Sequence, residues 1–81
     1  MNITLTIRSN NLDKAYDEIL RPIKPFLCAE AVDGYGVVIR IEAEAQPYID
    51  LVQLVRRLRK AVADNGYHLS MDGPLEFRID T

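Results

Sequence analysis

The sequence predicts a small α+β domain with the element order β-α-β-β-α-β. Three observations support this prediction. Polar and apolar residues alternate near both ends of the chain and again in its middle, as in strands with one buried face. Between these segments lie two stretches in which apolar residues recur at helical spacing. The length of 81 residues indicates a single domain, which we place at residues 1–81.

The first two elements are a strand and a helix. Residues 2–8 alternate between polar and apolar side chains, which predicts the first strand. Asn10 or Asn11 then offers a helix N-cap, and an apolar stripe at helical spacing runs through residues 12–23. Because proline lacks an N–H group and clashes with the preceding turn, we expect this helix to end or kink just before Pro22.

Two further strands joined by a tight turn follow this helix. Residues 26–32 indicate the second strand, and the direction in which its side chains face stays open. The turn is predicted at residues 33–36, because the Asp33-Gly34 pair readily adopts the positive φ that hairpin turns need. Apolar residues at every second position from Val37 to Ala45 predict the inward face of the third strand.

The second helix has a recognisable start, core face and end. Pro47 suits the first helical position, and Asn65-Gly66 is a C-cap signal. The apolar stripe between them includes Leu58, for which we predict core contacts with Leu5 and Ile39.

The C-terminal segment alternates again, and two interpretations of it stay open. Residues 67–79 keep their apolar side chains on one face throughout. They form either one edge strand with a bend at Gly73, which we favour, or a second hairpin. A tight hairpin centred on Asp72-Gly73 would need the N–H group that Pro74 lacks.

This order of elements is that of the ferredoxin-like, split βαβ fold, with a four-stranded antiparallel sheet and two helices on one face. Right-handed crossovers would give the strand order 4-1-3-2. The open face of the sheet would then carry polar side chains: Thr4, Thr6, Arg40, Glu42, His68 and Ser70.

Composition excludes several classes of protein. A net charge of −2 gives no overall attraction to nucleic acid or to an anionic membrane. No apolar stretch approaches the length of a membrane span. The single cysteine, Cys28, cannot form an internal disulfide, and the alternating N-terminus is not a signal peptide. These features predict a cytoplasmic protein without membrane contact.

No group of residues in the sequence predicts catalysis or a bound cofactor. A structural zinc site needs four ligands, whereas the chain has one cysteine and one histidine. Gly34 and Gly36 lead into a strand and not into the helix N-terminus that binds phosphate. Glu42 and Glu44 share a sheet face, but no evident nucleophile accompanies them, and Arg40 is expected to pair with them. We therefore predict no enzyme activity, no cofactor and no metal.

The clearest candidate surface is the outer face of the second helix. Four of the ten basic residues fall within positions 56–60. Such charge runs usually form a solvated helix face, and that interpretation stands against partner binding. The partner-binding hypothesis assigns contacts to six residues: Ile49, Gln53, Arg56, Arg57, Lys60 and, at the hairpin tip, Tyr35.

Part of the chain resembles the small dimerising subunit of the KEOPS tRNA-modifying complex. The resemblance lies in TLTIRSNNLDKAYDEILRPIKP, in VVIRIEAEA and in the helix that follows. It implies a β-α-β-β-α chain that pairs with itself through sheet and helix. The second helix, LVQLVRRLRKAV, departs from the arginine-and-serine pattern of that family, and the family has no tail like YHLSMDGPLEFRIDT. No functional residue is therefore carried over.

Together these features predict a non-catalytic protein-interaction module, such as a small adaptor, inhibitor or complex subunit. We expect it to self-associate into a homo-oligomer, because a short chain buries a thin core and the long C-terminal strand leaves an unpaired edge. Two alternatives stay open. One is a nucleic-acid-associated accessory protein that uses the basic second helix, and the other is a small-molecule-binding regulatory domain.

Overall fold

A computed structural model describes residues 1–46 and 51–81 of the chain. The predicted α+β class is confirmed, but the C-terminal segment forms two strands. The elements are β1 (Asn2–Arg8), α1 (Leu12–Ile23), a 3-10 turn (Lys24–Phe26), β2 (Leu27–Tyr35), β3 (Val38–Ala45), α2 (Leu51–Asp64), β4 (His68–Gly73) and β5 (Glu76–Asp80).

The five strands form one mixed sheet in the order β2-β3-β1-β5-β4. β1 pairs antiparallel with β3 and parallel with β5, and the two outer pairs are antiparallel. The predicted sheet of four antiparallel strands is therefore wrong, because the sheet has a fifth strand at its edge and β5 is parallel to β1. The physical reason is that α2 leads to the edge strand β4, and the chain then returns through a hairpin that places β5 beside β1. The relative order of β2, β3 and β1, with the last strand beside β1, agrees with the predicted 4-1-3-2.

The β4–β5 hairpin turns at Pro74-Leu75, so the predicted bend at Gly73 is wrong. Leu75 has a φ of 59°, and proline followed by a residue with positive φ is the pattern of a type II turn. Gly73 and Glu76 close the hairpin. In this register Pro74 occupies a turn position that donates no hydrogen bond, so its missing N–H group does not oppose the hairpin.

The first hairpin also turns later than predicted. Its closing pair is Tyr35 and Val38, and Gly36-Val37 forms the connection. Gly36 has a φ of 62°, and glycine with positive φ at the first turn position is the type II′ arrangement. Asp33-Gly34 therefore belongs to β2, and Val37, which was expected to face inward, is exposed.

The core lies between one face of the sheet and both helices. The predicted inward positions of β1 and β3 are buried, apart from Val37, and so are the central residues of both helical stripes. Leu5, Ile39 and Leu58 belong to the same buried cluster, as predicted. β5 contributes Phe77 and Ile79 to this cluster.

The helix ends follow local chemistry, with one difference from the expectation. The side chain of Asn11 caps α1 by accepting a hydrogen bond from the N–H group of Lys14 at 3.2 Å. α1 does not stop before Pro22 but continues to Ile23. Pro22 falls in the last turn, where the missing hydrogen bond disturbs little of the helix. Gly66, with a φ of 71°, follows α2 as the C-cap signal predicted. The expected start at Pro47 lies outside the described residues.

Neither helix in the described ranges has the length and apolar character needed to cross a membrane.

Two tyrosine–glutamate hydrogen bonds fasten α1 to its neighbours. The Tyr16 hydroxyl donates to Glu30 of β2 at 3.0 Å, and the Tyr67 hydroxyl donates to Glu18 of α1. Burial, together with the hydrogen bond to Glu30, raises the pKa of Tyr16. The hydrogen bond to Glu18, with a further contribution from burial, raises the pKa of Tyr67 to about 12. Both contacts therefore stabilise the neutral phenol.

Replacing Tyr67 by Phe is expected to lower the free energy of unfolding by about 1–2 kcal/mol near neutral pH, because the hydroxyl donates to a charged acceptor. The folded pKa of about 12 lies above the ordinary value of 10.0. The contribution of this contact to the free energy of unfolding is therefore complete below pH 10, and it disappears as the pH rises towards 12.

Urea titrations of parent and variant at several pH values between 8 and 12 measure this effect. The difference in free energy of unfolding between parent and variant should become smaller above pH 10. Tyr35→Phe is the control. Because the Tyr35 side chain is exposed, this substitution should change the free energy of unfolding little at any pH. A difference that stays constant over the whole range would contradict the role of the Tyr67–Glu18 contact.

Candidate protein-interaction surfaces

The basic face of α2 consists of Gln53, Arg56, Arg57, Arg59 and Lys60, all of which are exposed. The sequence directs these side chains outward because the opposite stripe of the helix is apolar and buried against the core. That buried stripe contains Leu54, Leu58, Ala61 and Val62.

Two of the four cations on the basic face already have partners within the chain. The Lys60 ammonium lies 2.8 Å from a carboxylate oxygen of Asp64. The Arg57 guanidinium lies 5.3 Å from the ring centroid of Phe26, a cation–π distance. Arg56 and Arg59 form no ion pair with residues 1–46 or 51–81. A cation–π contact does not neutralise charge, so the positive charge of α2 that no carboxylate of the described residues balances lies on Arg56, Arg57 and Arg59.

The outer face of α1 differs from the basic face in its charge balance. Lys14 pairs with Glu18 at 3.8 Å, and Arg21 pairs with Asp17, both across one helical turn. Exposed pairs of this kind contribute little to stability, but they leave α1 with no excess of either sign comparable to that of α2.

Tyr35, a further residue of the partner-binding hypothesis, does not join the basic face. Tyr35 is 90% exposed and lies at the end of β2, where it is paired with Val38. Since the next residue of β3, Ile39, faces the core, Tyr35 belongs to the face of the sheet opposite the helices. Ile49 lies outside the described residues.

The open face of the sheet carries the predicted polar residues in mixed-charge rows. Thr4 is opposite Glu42, and Thr6 is opposite Arg40. Arg40 and Glu42 form an ion pair at 3.2 Å, so the expected pairing of Arg40 is confirmed. Ser70 extends the Thr6 row onto β4 through Arg78. His68 lies opposite Asp80, in a separate row.

The acidic side chains on the open face do not converge into a metal-binding group. Within the two described ranges, no three His, Cys, Asp or Glu residues are placed so that they could hold a metal ion. Cys28 is exposed, beside a register irregularity in the β2–β3 pairing.

The unpaired sheet edges belong to β2 and β4, whereas the single edge strand expected over residues 67–79 is not formed. β2 is the longer of the two, with nine residues against six in β4. The strand predicted over residues 26–32 covers most of β2, and only its last three residues were missed, because residues 33–36 were assigned to a turn. The alternation of residues 29–35 contains no strong apolar period that would have revealed a long strand.

Two hydrogen bonds define which backbone groups of β2 are unpaired. The Ser9 N–H group donates to the Val37 carbonyl at 2.9 Å, and the Ala45 N–H group donates to the Met1 carbonyl at 2.8 Å. Odd-numbered residues of β3 therefore direct their backbone groups towards β1, and even-numbered residues direct theirs towards β2. The register then pairs odd-numbered residues of β2 with β3. Even-numbered residues point outward, and these form what we call the β2 edge: Glu30, Val32 and Gly34.

No protein-family model, curated protein or solved structure matches this chain. The resemblance to the KEOPS subunit therefore stays a prediction.

Proposed function

We propose that this chain is a non-catalytic protein-interaction module that binds an acidic partner protein through the basic face of α2. The observation that carries the proposal is the uncompensated charge of Arg56 and Arg59 on the exposed side of a helix. Arginine suits this role because its planar guanidinium pairs bidentately with carboxylates. α2 has 14 described residues, a length of about 21 Å, which accommodates several such contacts.

The contacts within the chain support binding in a second way. Because Arg57 is held over Phe26, its guanidinium is positioned before any partner arrives. A side chain that is already ordered loses less conformational entropy on binding. Gln53, one helical turn before Arg57, adds a neutral hydrogen-bonding group to the same face.

The proposal includes self-association and a cytoplasmic location. Self-association is supported by the edge of β4, which is unpaired in the described sheet, because unpaired strands recruit other strands. Light scattering of the free chain over a range of concentrations measures this directly, and a monomer mass throughout would contradict it. A cytoplasmic location is supported by the exposed thiol of Cys28, since exposed thiols persist in reducing compartments.

Replacing Arg56 and Arg59 together by Glu is expected to weaken binding to a glutamate-rich probe peptide by about tenfold or more, because attractive charge pairs become repulsive. Arg57 is left in place, since its contact with Phe26 would confound the result. The fold should survive, as exposed substitutions usually change stability within about ±0.5 kcal/mol. Isothermal titration calorimetry measures the affinity.

The matched control is the double variant Lys14→Glu and Arg21→Glu, which changes the net charge equally but on α1. This control should bind the peptide nearly as well as the parent. A short duplex DNA, titrated at several salt concentrations, tests the nucleic-acid alternative, for which the logarithmic slope is about −0.9 per phosphate contact. If the α2 variant binds both probes as the parent does, the basic face is only a solvated helix surface.

A further inference from the structure

The geometry points to a second binding surface, and we propose that the β2 edge binds an extended basic peptide segment of another protein. The segment would pair with β2 and extend the five-stranded sheet by one strand. This surface is separate from the basic face of α2, and the inference does not depend on the function proposed for that face.

The backbone of β2 supplies the main-chain part of this site. Glu30, Val32 and Gly34 each direct one N–H and one C=O group away from β3. An added strand in register with these three residues would form about six hydrogen bonds. Main-chain hydrogen bonds of this kind provide affinity in strand addition, and the side chains beside them provide specificity.

β2 lacks two of the residue types that usually protect an edge strand. Between Leu27 and Tyr35 there is no proline and no lysine, the residues that most often block pairing at sheet edges. The register irregularity near Cys28 lies at one end of β2 and leaves residues 29–35 regular. β4, in contrast, is shorter and has a register shift between Met71 and Gly73. The β2 edge is therefore the better place for an added strand.

The charges around the β2 edge favour a basic occupant. β2 itself carries Glu30 and Asp33 and no cation. Glu30 is already compensated, since it contacts Lys24 at 3.6 Å and accepts the Tyr16 hydroxyl hydrogen bond. Asp33 lies opposite Arg40 on the open face, but Arg40 pairs with Glu42. Asp33 itself has no ion pair in the described parts of the chain. An incoming lysine or arginine therefore finds a free carboxylate there.

A second free carboxylate lies behind the edge. Glu44 of β3 is opposite Ala29 of β2, and Glu42 is opposite Ala31. Because the two alanine side chains are short, a shallow depression of about 450 Å³ remains over them, lined in part by Asn2 and Glu44. Glu44, like Asp33, forms no ion pair among the described residues. A long basic side chain from an added strand can cross Ala29 and approach the carboxylate of Glu44.

The opposite face of the edge favours apolar side chains. Val32 lies opposite Ile41, on the helix side of the sheet, and is 49% exposed because β2 extends beyond the cover of the helices. An added strand would place every second side chain beside Val32 and the intervening ones beside Asp33. The occupant is therefore a segment that alternates basic and apolar residues.

A second copy of this chain is a poorer occupant of the same edge. Pairing β2 with another β2 would bring a second Glu30 and a second Asp33 to an edge that already carries both, and it would add no cation. Like charges on adjacent strands are destabilising. The acidic side chains of β2 therefore favour a different, basic chain.

The first test uses a short blocked peptide that alternates lysine with valine. We expect it to bind and to slow amide hydrogen exchange at Glu30, Val32 and Gly34. A peptide that alternates glutamate with valine, and a lysine–valine peptide with a central proline, should each bind at least about tenfold more weakly. Equal binding of the acidic peptide, or slowed exchange at β4 with none at β2, would overturn the proposal.

The second test changes the edge itself. Val32→Pro removes one outward N–H group and should reduce binding at least about tenfold, whereas the matched control Val32→Thr retains that group and should bind within about twofold of the parent. Should Val32→Pro fail to fold, the exposed double variant Asp33→Asn and Glu44→Gln still tests the charge argument, with an expected loss of roughly fivefold. Unchanged binding by this double variant would contradict the assigned role of the two carboxylates.

The two surfaces can be separated in the same series. The variant with Arg56 and Arg59 reversed should bind the lysine–valine peptide at least as well as the parent. If, in the free chain, the amides of the β2 edge become protected as the concentration rises, and the peptide does not bind, a second copy occupies the edge and the proposal fails.

Discussion

Replacing Phe77 by Ala is expected to destabilise the domain by about 3–5 kcal/mol, the usual cost of deleting a large buried aromatic side chain. Phe77 is 2% exposed and lies on β5, directly between Leu5 of β1 and Met71 of β4. A chain of 81 residues buries a modest core, and the total stability of such domains is near the low end of about 5–15 kcal/mol. The variant should therefore be largely unfolded or strongly destabilised.

Met71→Ala is the matched control for this prediction. Met71 lies in the same cross-strand row as Phe77 but on the edge strand, where it is 53% exposed. We expect its replacement to cost about 1 kcal/mol or less, since half of the side chain already contacts water. Urea denaturation of the two variants provides the comparison. Equal losses of stability would contradict the position of β5 inside the sheet.

Replacing Leu58 by Ala should lower the free energy of unfolding by about 2–5 kcal/mol, because the vacated volume lies in the closed core and can collapse only in part. Leu58 is fully buried in the cluster that contains Leu5 and Ile39. It is therefore one of the side chains that hold α2 to the sheet.

The control for Leu58 is Gln53→Ala on the exposed side of the same helix. Alanine has a high helix propensity, so this change should alter stability by only a few tenths of a kcal/mol. Chemical denaturation followed by circular dichroism measures both variants. If Leu58→Ala unfolds at the same urea concentration as the parent, the predicted core stripe of α2 does not support the fold.

Periodicity predicted the core well because burial depends on which side chains share a face. A period of two residues in a strand, or of 3.6 in a helix, determines which side chains of β1, β3 and the helices face inward. This period does not depend on which strand lies next to the element. The alternation in residues 67–79 illustrates where this argument ends. A two-residue turn at Pro74-Leu75 would by itself reverse the parity, but the register shift between Met71 and Gly73 restores it, so the hairpin and one long strand give the same pattern.

The strand order could not follow from the same pattern. The order depends on whether the strand that follows α2 lies beside β1 or at the edge of the sheet. The turn at Pro74-Leu75 decides this, because it divides the segment into β4 at the edge and β5 beside β1. The positive φ of Leu75 gave no advance signal, because leucine rarely adopts this conformation. A glycine at this position would have indicated the turn.

The residue types on the candidate surfaces could be predicted from the sequence, but the contacts that these residues make with distant parts of the chain could not. The run of cations on α2 is visible in the sequence, and the contact between Lys60 and Asp64 follows from their spacing on a helix. The stacking of Arg57 on Phe26 joins residues that are distant in sequence, so no local pattern reveals it. The last part of the β2 edge, at Gly34, was missed because Asp33-Gly34 is a strong turn signal that here lies inside a strand.

The interior position of β5 also has a consequence for synthesis on the ribosome. β1 is made first, but one of its two neighbouring strands, β5, is the last to be made. Until residues 76–80 have left the exit tunnel, one side of β1 lacks its partner and the apolar face of the nascent sheet stays incomplete. Such species are open to chaperones and to wrong strand pairing. The sheet can therefore be completed only after β5 has been translated. It cannot be assembled one strand at a time as the strands are made.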